Sequence, residues 1–436
     1  MSEWKTYKLG ELCSKIGSGS TPKGGSNVYL ESGEISLIRS QNIYNEGFNP
    51  NGIVYITQES ADKLKNVIVN ENDVLINITG DSVARACIVD KKYLPARVNQ
   101  HTAILRAIPN ILDYRYLKNY LINKPIQDYL LSISSSGATR NALTKSMLEN
   151  LEIQLPDIET QQKIGEFLET FNKKIQLNTQ TNQTLEAIAQ AIFKSWFVDF
   201  DPVRAKAQAL SEGKSEREAN LAAMSVICGK DTSELNDTEY KALWQIADAF
   251  PSELVENAEF GEVPKGWEVK KIGEVVERLK NSQKLKKEHI SDIGETPVFE
   301  QGASILMGYT DEHPSQKATL REPIFIFGDH TCITQISTKP FSIYQNVISL
   351  KGLNLPTYWV YWAIKDKQKF QEYRWHYMEF IIKEIIVPND EILCQNFSDT
   401  ISFFHQKIDF LREENRHLAK IRDELLPKLL SREIEL

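Results

Sequence analysis

The chain has 436 residues, 41% of them hydrophobic and 25% charged, which suits two or three globular domains and excludes disordered and fibrous classes. Acidic residues outnumber basic ones, 59 against 51, so any nucleic-acid contact must come from a local basic face rather than general adhesion to phosphate. No basic-then-apolar leader opens the chain and no apolar run is long enough for a bilayer, so a cytoplasmic protein without membrane contact is expected. Five scattered cysteines, Cys13, Cys87, Cys228, Cys332 and Cys394, predict reduced thiols and no zinc site, and the seven histidines lack metal-ligand spacing.

The first element is Trp4 followed by Lys8-Leu9-Gly10-Glu11. After it comes IGSGSTPKGG at 16–25, which has the glycines and lysine of a phosphate-cradling loop. Pro22 stands before Lys23 where such a loop needs glycine, and Gly24 follows where it needs a hydroxyl. Proline removes a backbone donor, so the nucleotide reading gives way to a polar turn, or to a loop whose donors meet a nucleic-acid backbone. The runs GIVYIT, DVLINITG and RACIVD predict strands, DYRYLKNYLINKPIQDYLL predicts helix, and LEIQLP closes a mixed α/β or α+β module over 1–155.

Residues 156–198 predict a long helix whose seam residues alternate four and three apart: Ile164, Leu168, Phe171, Ile175, Asn178, Asn182, Leu185, Ala189, Ile192 and Trp196. That is the spacing of a coiled coil. A polar connector, 199–263, follows, with a capped helix expected near Asp237 that places Tyr240, Leu243, Trp244 and Ala247 on one face. The chain then repeats itself: Trp267 precedes Lys271-Ile272-Gly273-Glu274 at the spacing seen after Trp4. Residues 264–387 form a second mixed module with strands in EPIFIFGDHTCITQIS and a helix near PTYWVYWAIKDKQKFQEY. Residues 388–436 repeat the long helix, with Phe397, Ile401, Phe404, Ile408, Leu411, Asn415, Leu418, Arg422, Leu425 and Leu429 shifted from the first seam by a constant 233.

The expected architecture is therefore two α/β (α+β) modules separated by two long antiparallel coiled-coil helices, an internal repeat about a pseudo-two-fold. In such a pair the repeated asparagines Asn182 and Asn415 are expected to meet near the middle, where a buried amide fixes alignment. A helix of about 40 residues is roughly 60 Å long. Two like modules on such a spacer suit a target with two half-sites, and duplex DNA repeats its major-groove face about every 34 Å.

These segments resemble the specificity subunit of type I restriction-modification systems. EWKTYKLGELCSKIGSGSTPKGG is similar to the opening of its first target-recognition domain, SSSGATRNALTKSMLENLEIQLP to the close of that domain, QQKIGEFLETFNKKIQLNTQTNQTLEAIAQAIFKSWFVDFDPVRAK to its central spacer, and GEVPKGWEVKKIGEV to the entry of the second domain. The second module departs from the pattern by ending without a Gly-rich loop. The resemblance implies a non-catalytic subunit that reads a bipartite, asymmetric site in double-stranded DNA. It also implies helices that set the unspecified gap and dock two modification subunits, together with restriction subunits in a complex that cleaves. The resemblance places S-adenosylmethionine, ATP and magnesium in those partners, with no cofactor in this chain. The residues agree: Asp201-Pro202-Val203-Arg204 lacks the second proline and the aromatic of an amino-methyltransferase motif. The rival readings are a stand-alone methyltransferase or nucleotide-binding enzyme, and a coiled-coil scaffold for protein partners.

In the opening loop Ser18, Ser20 and Thr21 are small hydroxyl donors, and Lys15, Lys23, Lys280, Lys284 and Lys286 suit phosphate contacts, which position a module without reading sequence. Base reading needs bidentate side chains, Arg for guanine and Asn or Gln for adenine. In the first module these are Arg39, Gln41, Asn42, Arg85, Asn99, Gln100, His101 and Arg140, with Thr79 alongside; in the second they are Gln301, Asp329, His330, Gln345, Asn346, Arg374 and His376.

Overall fold

The computed structural model describes residues 4–135, 141–281, 285–291, 294–302, 305–370 and 376–436. The chain divides into two compact units, Met1–Gln180 with Arg412–Leu436, and Thr181–Leu411. Each unit holds one mixed module and half of each long helix.

In the first unit Lys5–Lys8 pairs antiparallel with Glu152–Leu155, joining the start of the module to its end. A helical turn, Leu9–Leu12, follows, and the Leu9 N–H donates to the Leu151 carbonyl at 2.8 Å. Gly10 permits that closeness, because a Cβ there would stand 3.2 Å from the Glu149 carbonyl oxygen. The main sheet runs Cys13–Ser18, Thr102–Ala107, Val74–Asn77, Ala86–Ile88, all antiparallel. A second sheet runs Val54–Ile56, Ile35–Ile38, Ala96–Val98, Ile68–Val69. The helix Tyr114–Ile122 packs on the main sheet and starts where the Asp113 carboxylate accepts from the Arg115 and Tyr116 N–H groups.

The second unit repeats the closing pair, the helical turn and the main sheet, while among the described residues its second sheet has three strands, Leu306–Thr310, Thr296–Phe299 and Ser342–Ile343, in place of four. Glu268–Lys271 pairs with Glu384–Val387, and the turn Ile272–Val275 is tied by the Ile272 N–H to the Lys383 carbonyl at 2.8 Å. A Cβ on Gly273 would stand 3.2 Å from the Ile381 carbonyl oxygen. The main sheet runs Val276–Arg278, Val347–Gly352, Ile324–Gly328, Thr334–Ser337, with Thr357–Ile364 as its helix. The short helix Tyr377–Ile381 closes the module where Lys145–Glu149 closes the first. The two closures therefore share a backbone plan although their sequences differ.

The long helices span Ile158–Phe197 and Glu391–Leu430, 40 residues each. Asp157 and Asp390 cap them through Oδ1, accepting from the Thr160 N–H at 2.9 Å and the Ile392 N–H at 2.8 Å. In the first unit Arg422 donates to Asn172 at 2.9 Å and Asn178 to Asn415 at 2.8 Å, so rising numbers on one helix meet falling numbers on the other, which makes the pair antiparallel. In the second unit Phe193 and Phe197 pack edge-on against Phe397 at 5.4 and 5.5 Å. Ile164, Leu168, Ile175, Phe397, Ile401 and Ile408 are buried on the seam, while Phe171, Leu185, Phe404 and Leu418 are half-buried at its margins. One expectation is corrected: Asn415 pairs with Asn178, one helical turn from Asn182. Asn182 Oδ1 has no hydrogen bond among the described residues.

Residues 199–263 hold more than a link. Helices Asp201–Ser211, Glu216–Cys228 and Asp237–Asp248 precede a hairpin of Leu254–Asn257 with Gly261–Pro264. Asn236 caps the third helix, and Tyr240, Leu243 and Trp244 pack on Ala223, Met224 and Ala247. No helix among the described residues is long and apolar enough to cross a membrane.

Candidate nucleic-acid interface

The opening loop lies on the turn that follows Ala96–Val98. The Gly19 N–H donates to the Thr102 carbonyl at 2.8 Å and the Ser20 N–H to the Val98 carbonyl at 3.0 Å. Only glycine fits, since a Cβ on Gly19 would fall 2.1 Å from the Val98 oxygen and 2.2 Å from the Asn99 oxygen. These N–H groups are thus committed to carbonyls rather than aimed at a phosphate cradle. Ser18 and Lys23 are exposed, and Ser20 and Thr21 half-exposed, beside the Asn99–His101 turn.

Around that turn gather most of the polar residues expected to read bases. The Thr79 hydroxyl meets His101 Nδ1 at 2.6 Å and Gln100 meets His101 Nε2 at 3.1 Å, which holds the ring from both sides. The Arg85 guanidinium lies over the Tyr44 ring at 5.0 Å, and that of Arg39 over Tyr29 at 5.5 Å with a hydrogen bond to the Gly52 carbonyl. Gln41 is exposed and donates to the same carbonyl at 3.3 Å. Gln41, Gln100, Arg85 and Arg39 therefore form a rim of planar donors with Lys23 and the loop hydroxyls beside it.

Two expected readers are structural. Asn42 is fully buried, donating to the Asn49 carbonyl at 2.9 Å and accepting from the Arg39 N–H at 3.1 Å. Asn99 is buried and accepts from the His101 N–H at 3.2 Å. Both hold turns, so neither amide can reach a base edge. Lys15 donates to the Asn66 carbonyl, and burial, then the neighbouring Arg106 charge, lowers its pKa; it supports the sheet instead of facing the rim. Arg140 lies outside the described residues.

In the second module Gln345, Asn346 and Lys280 are exposed, and Lys286 is exposed beside Glu288 at 3.4 Å. The rest turn inward. Asp329 is buried and accepts from the Tyr377 N–H at 3.0 Å, while its carbonyl accepts from the His376 N–H at 2.8 Å. Gln301 accepts from the His330 N–H at 2.9 Å, and the His330 side chain is buried. His376 is fully buried against Gln368 and Glu379. Asp329 and Gln301 thus brace the module from within, because backbone donors of distant segments converge on their side chains, while His330 and His376 are buried. Lys284 and Arg374 lie outside the described residues.

Sequence reasoning missed Arg278, which is exposed with its guanidinium over Tyr377 at 5.3 Å, and the aromatic supports Tyr29 and Tyr44. It also missed Asn77, whose signal was a polar residue ending the apolar run of Val74–Asn77.

Residues 1–187 match the type I restriction modification DNA specificity domain. The whole chain is 30% identical to the specificity subunit of the type I restriction enzyme HindI from Haemophilus influenzae, with 100% of each chain covered. It is 25% identical to the type I restriction enzyme MjaIX specificity subunit of Methanocaldococcus jannaschii, over 99% of this chain and 94% of that one. Among solved structures, the type I restriction-modification S subunit from M. genitalium shares its fold at a TM-score of 0.50 and 15% identity, covering 98% of this chain and 96% of that one. Twin modules, twin capped helices and end-to-end similarity to the Haemophilus subunit converge on one conclusion: the chain belongs to the type I restriction enzyme specificity subunits.

Proposed function

We propose that this chain supplies the DNA target of a type I restriction-modification complex, each module reading one half of a bipartite site in duplex DNA while the long helices set the gap. The observation that carries this reading is the duplicated plan, in which the same main-sheet order, closing strand pair and helical turn recur in both units. A fold built twice has two equivalent places for a target. The differing loops on the two copies support two different half-sites.

Methyl transfer, ATP-driven motion and cleavage belong to partner subunits in this reading, with S-adenosylmethionine, ATP and magnesium bound there. Docking of two modification subunits has support on the helix surfaces. Leu177 and Phe410 are each 58% exposed, and Ile188 and Ile421 are 41% and 45% exposed. Both pairs are related by the shift of 233 that relates the helices, so any apolar patch on one copy recurs on the other. A partner that recognises one such patch would find two.

Sequencing of modified adenines in a genome exposed to the assembled complex should show a two-part motif with a fixed gap. A single continuous motif would overturn the reading. Affinity for that site should fall steeply with added salt, and Lys23→Gln should make the log–log slope shallower by roughly one, the share of one phosphate contact. An unchanged slope would remove Lys23 from the DNA backbone, and a flat salt response in the parent would favour a protein-binding scaffold.

A further inference from the structure

Asn77 is fully buried at the end of the strand Val74–Asn77, and its side chain ties three segments together. Nδ2 donates to the Ser40 carbonyl at 2.9 Å and to the Ser82 hydroxyl at 3.0 Å, while Oδ1 accepts from the Thr102 hydroxyl at 3.3 Å. Those three segments carry Arg39 and Gln41, Arg85, and Gln100 with His101. One amide therefore sets the spacing of the whole first rim.

The second module has a brace of its own one position further along the repeat, placed by following strand partners from the shared helical turn. Beside that turn the Ile108 N–H donates to the Leu12 carbonyl and the Leu353 N–H to the Val275 carbonyl, each at 2.9 Å, so Leu105 and Leu350, three residues before each donor, are equivalent. Leu105 lies opposite Val74 and Leu350 opposite Phe325. Val74 and Phe325 are thus equivalent, and three residues on stand Asn77 and Gly328, with Asp329 next along the chain. Asp329 is buried, binds the Tyr377 N–H through its carboxylate, and ties that segment to the Asn346 carbonyl through its own N–H at 3.0 Å. Both modules therefore brace the same strand end with a buried hydrogen-bonding side chain, at positions one residue apart in the repeat.

We infer that Asn77 and Asp329 are the positioning residues of the two recognition modules: neither touches DNA, and each sets the geometry in which its module's exposed donors read bases. This rests on the proposed role in DNA recognition. A bidentate contact discriminates only while both its hydrogen bonds are aligned, so loosening the brace should blur the reading without removing phosphate contacts.

The test is the pattern of modified adenines left by the complete complex carrying Asn77→Ala, Asp329→Ala or Asp329→Asn, with thermal unfolding of each variant as a fold control. Asn77→Ala should lower discrimination in one half of the motif by roughly tenfold or more, leaving the other half and the gap intact. Asp329→Ala should do the same to the opposite half, and Asp329→Asn, which keeps an acceptor for the Tyr377 N–H, should restore it. Should Asn77→Ala unfold the chain, Ser82→Ala removes a single arm of the brace and should blur the same half more weakly. Loss of methylation at an unchanged motif, or blurring of both halves by one folded variant, would overturn the inference. A parent complex with no two-part motif would instead overturn the reading on which it rests.

Discussion

Inserting four residues into the Ile158–Phe197 helix is expected to widen the gap in the recognised sequence by one to two base pairs and leave both half-sites unchanged. Four residues add about 6 Å of helix at a rise of 1.5 Å per residue, and one DNA base pair occupies about 3.4 Å. They also complete a little more than one turn, so most of the seam through Ile164, Leu168 and Ile175 still faces the second helix. Seven residues, which keep the seam in phase and add about 10 Å, should widen the gap by about three base pairs. Mapping methylated adenines for the parent and both insertions measures this directly. A changed half-site, or a gap indifferent to helix length, would show that the helices do not set the spacing.

Replacing Lys118 by methionine is expected to raise stability at pH 7 by roughly 2–3 kcal/mol, a large effect for one side chain. Lys118 lies on the Tyr114–Ile122 helix with 3% exposure, and its Nζ has no hydrogen bond among the described residues. Burial first, and then the charge of Arg422, lowers its pKa from 10.5 to about 8, with Glu169 offsetting only part of the shift. Between those two values the unfolded chain holds a proton that the folded chain has released, so stability rises with pH across that window. Below about 8 both states are charged, and the folded state bears the full cost of burying the ammonium. The advantage of Lys118→Met should therefore be greatest at pH 7 and shrink towards pH 10. Denaturant unfolding at both pH values checks it, and an advantage that stays constant with pH would disprove the burial argument.

Local periodicity made the duplication, the capped helix starts and the coiled-coil seam legible in the amino-acid order, because a helix face and a cap depend on residues three or four apart. Strand runs such as Val74–Asn77 and Ile324–Gly328 were legible for the same reason. The candidate interface was legible only by residue type. Gln41 and Gln100 are exposed, yet Asn42, Asn99 and His376, chemically just as suitable for base contact, are buried.

What decides between them is which backbone group stands opposite each side chain. Asn42 turns inward because the Asn49 and Asn51 carbonyls need a donor, and Asp329 because the Tyr377 N–H, 48 residues away, needs an acceptor. The choice of Asn178 over Asn182 as partner of Asn415 has the same origin. The seam repeat offers asparagines on successive turns, and the register is set by contacts along the packed helices, such as Arg422 with Asn172 and Phe397 with Phe193. The amino-acid order alone determined the elements and their repetition, which are matters of short-range spacing. Only the tertiary structure decided which polar side chains brace the modules and which are left to meet a partner, because a buried polar group must be paired and its pairs lie far away along the chain.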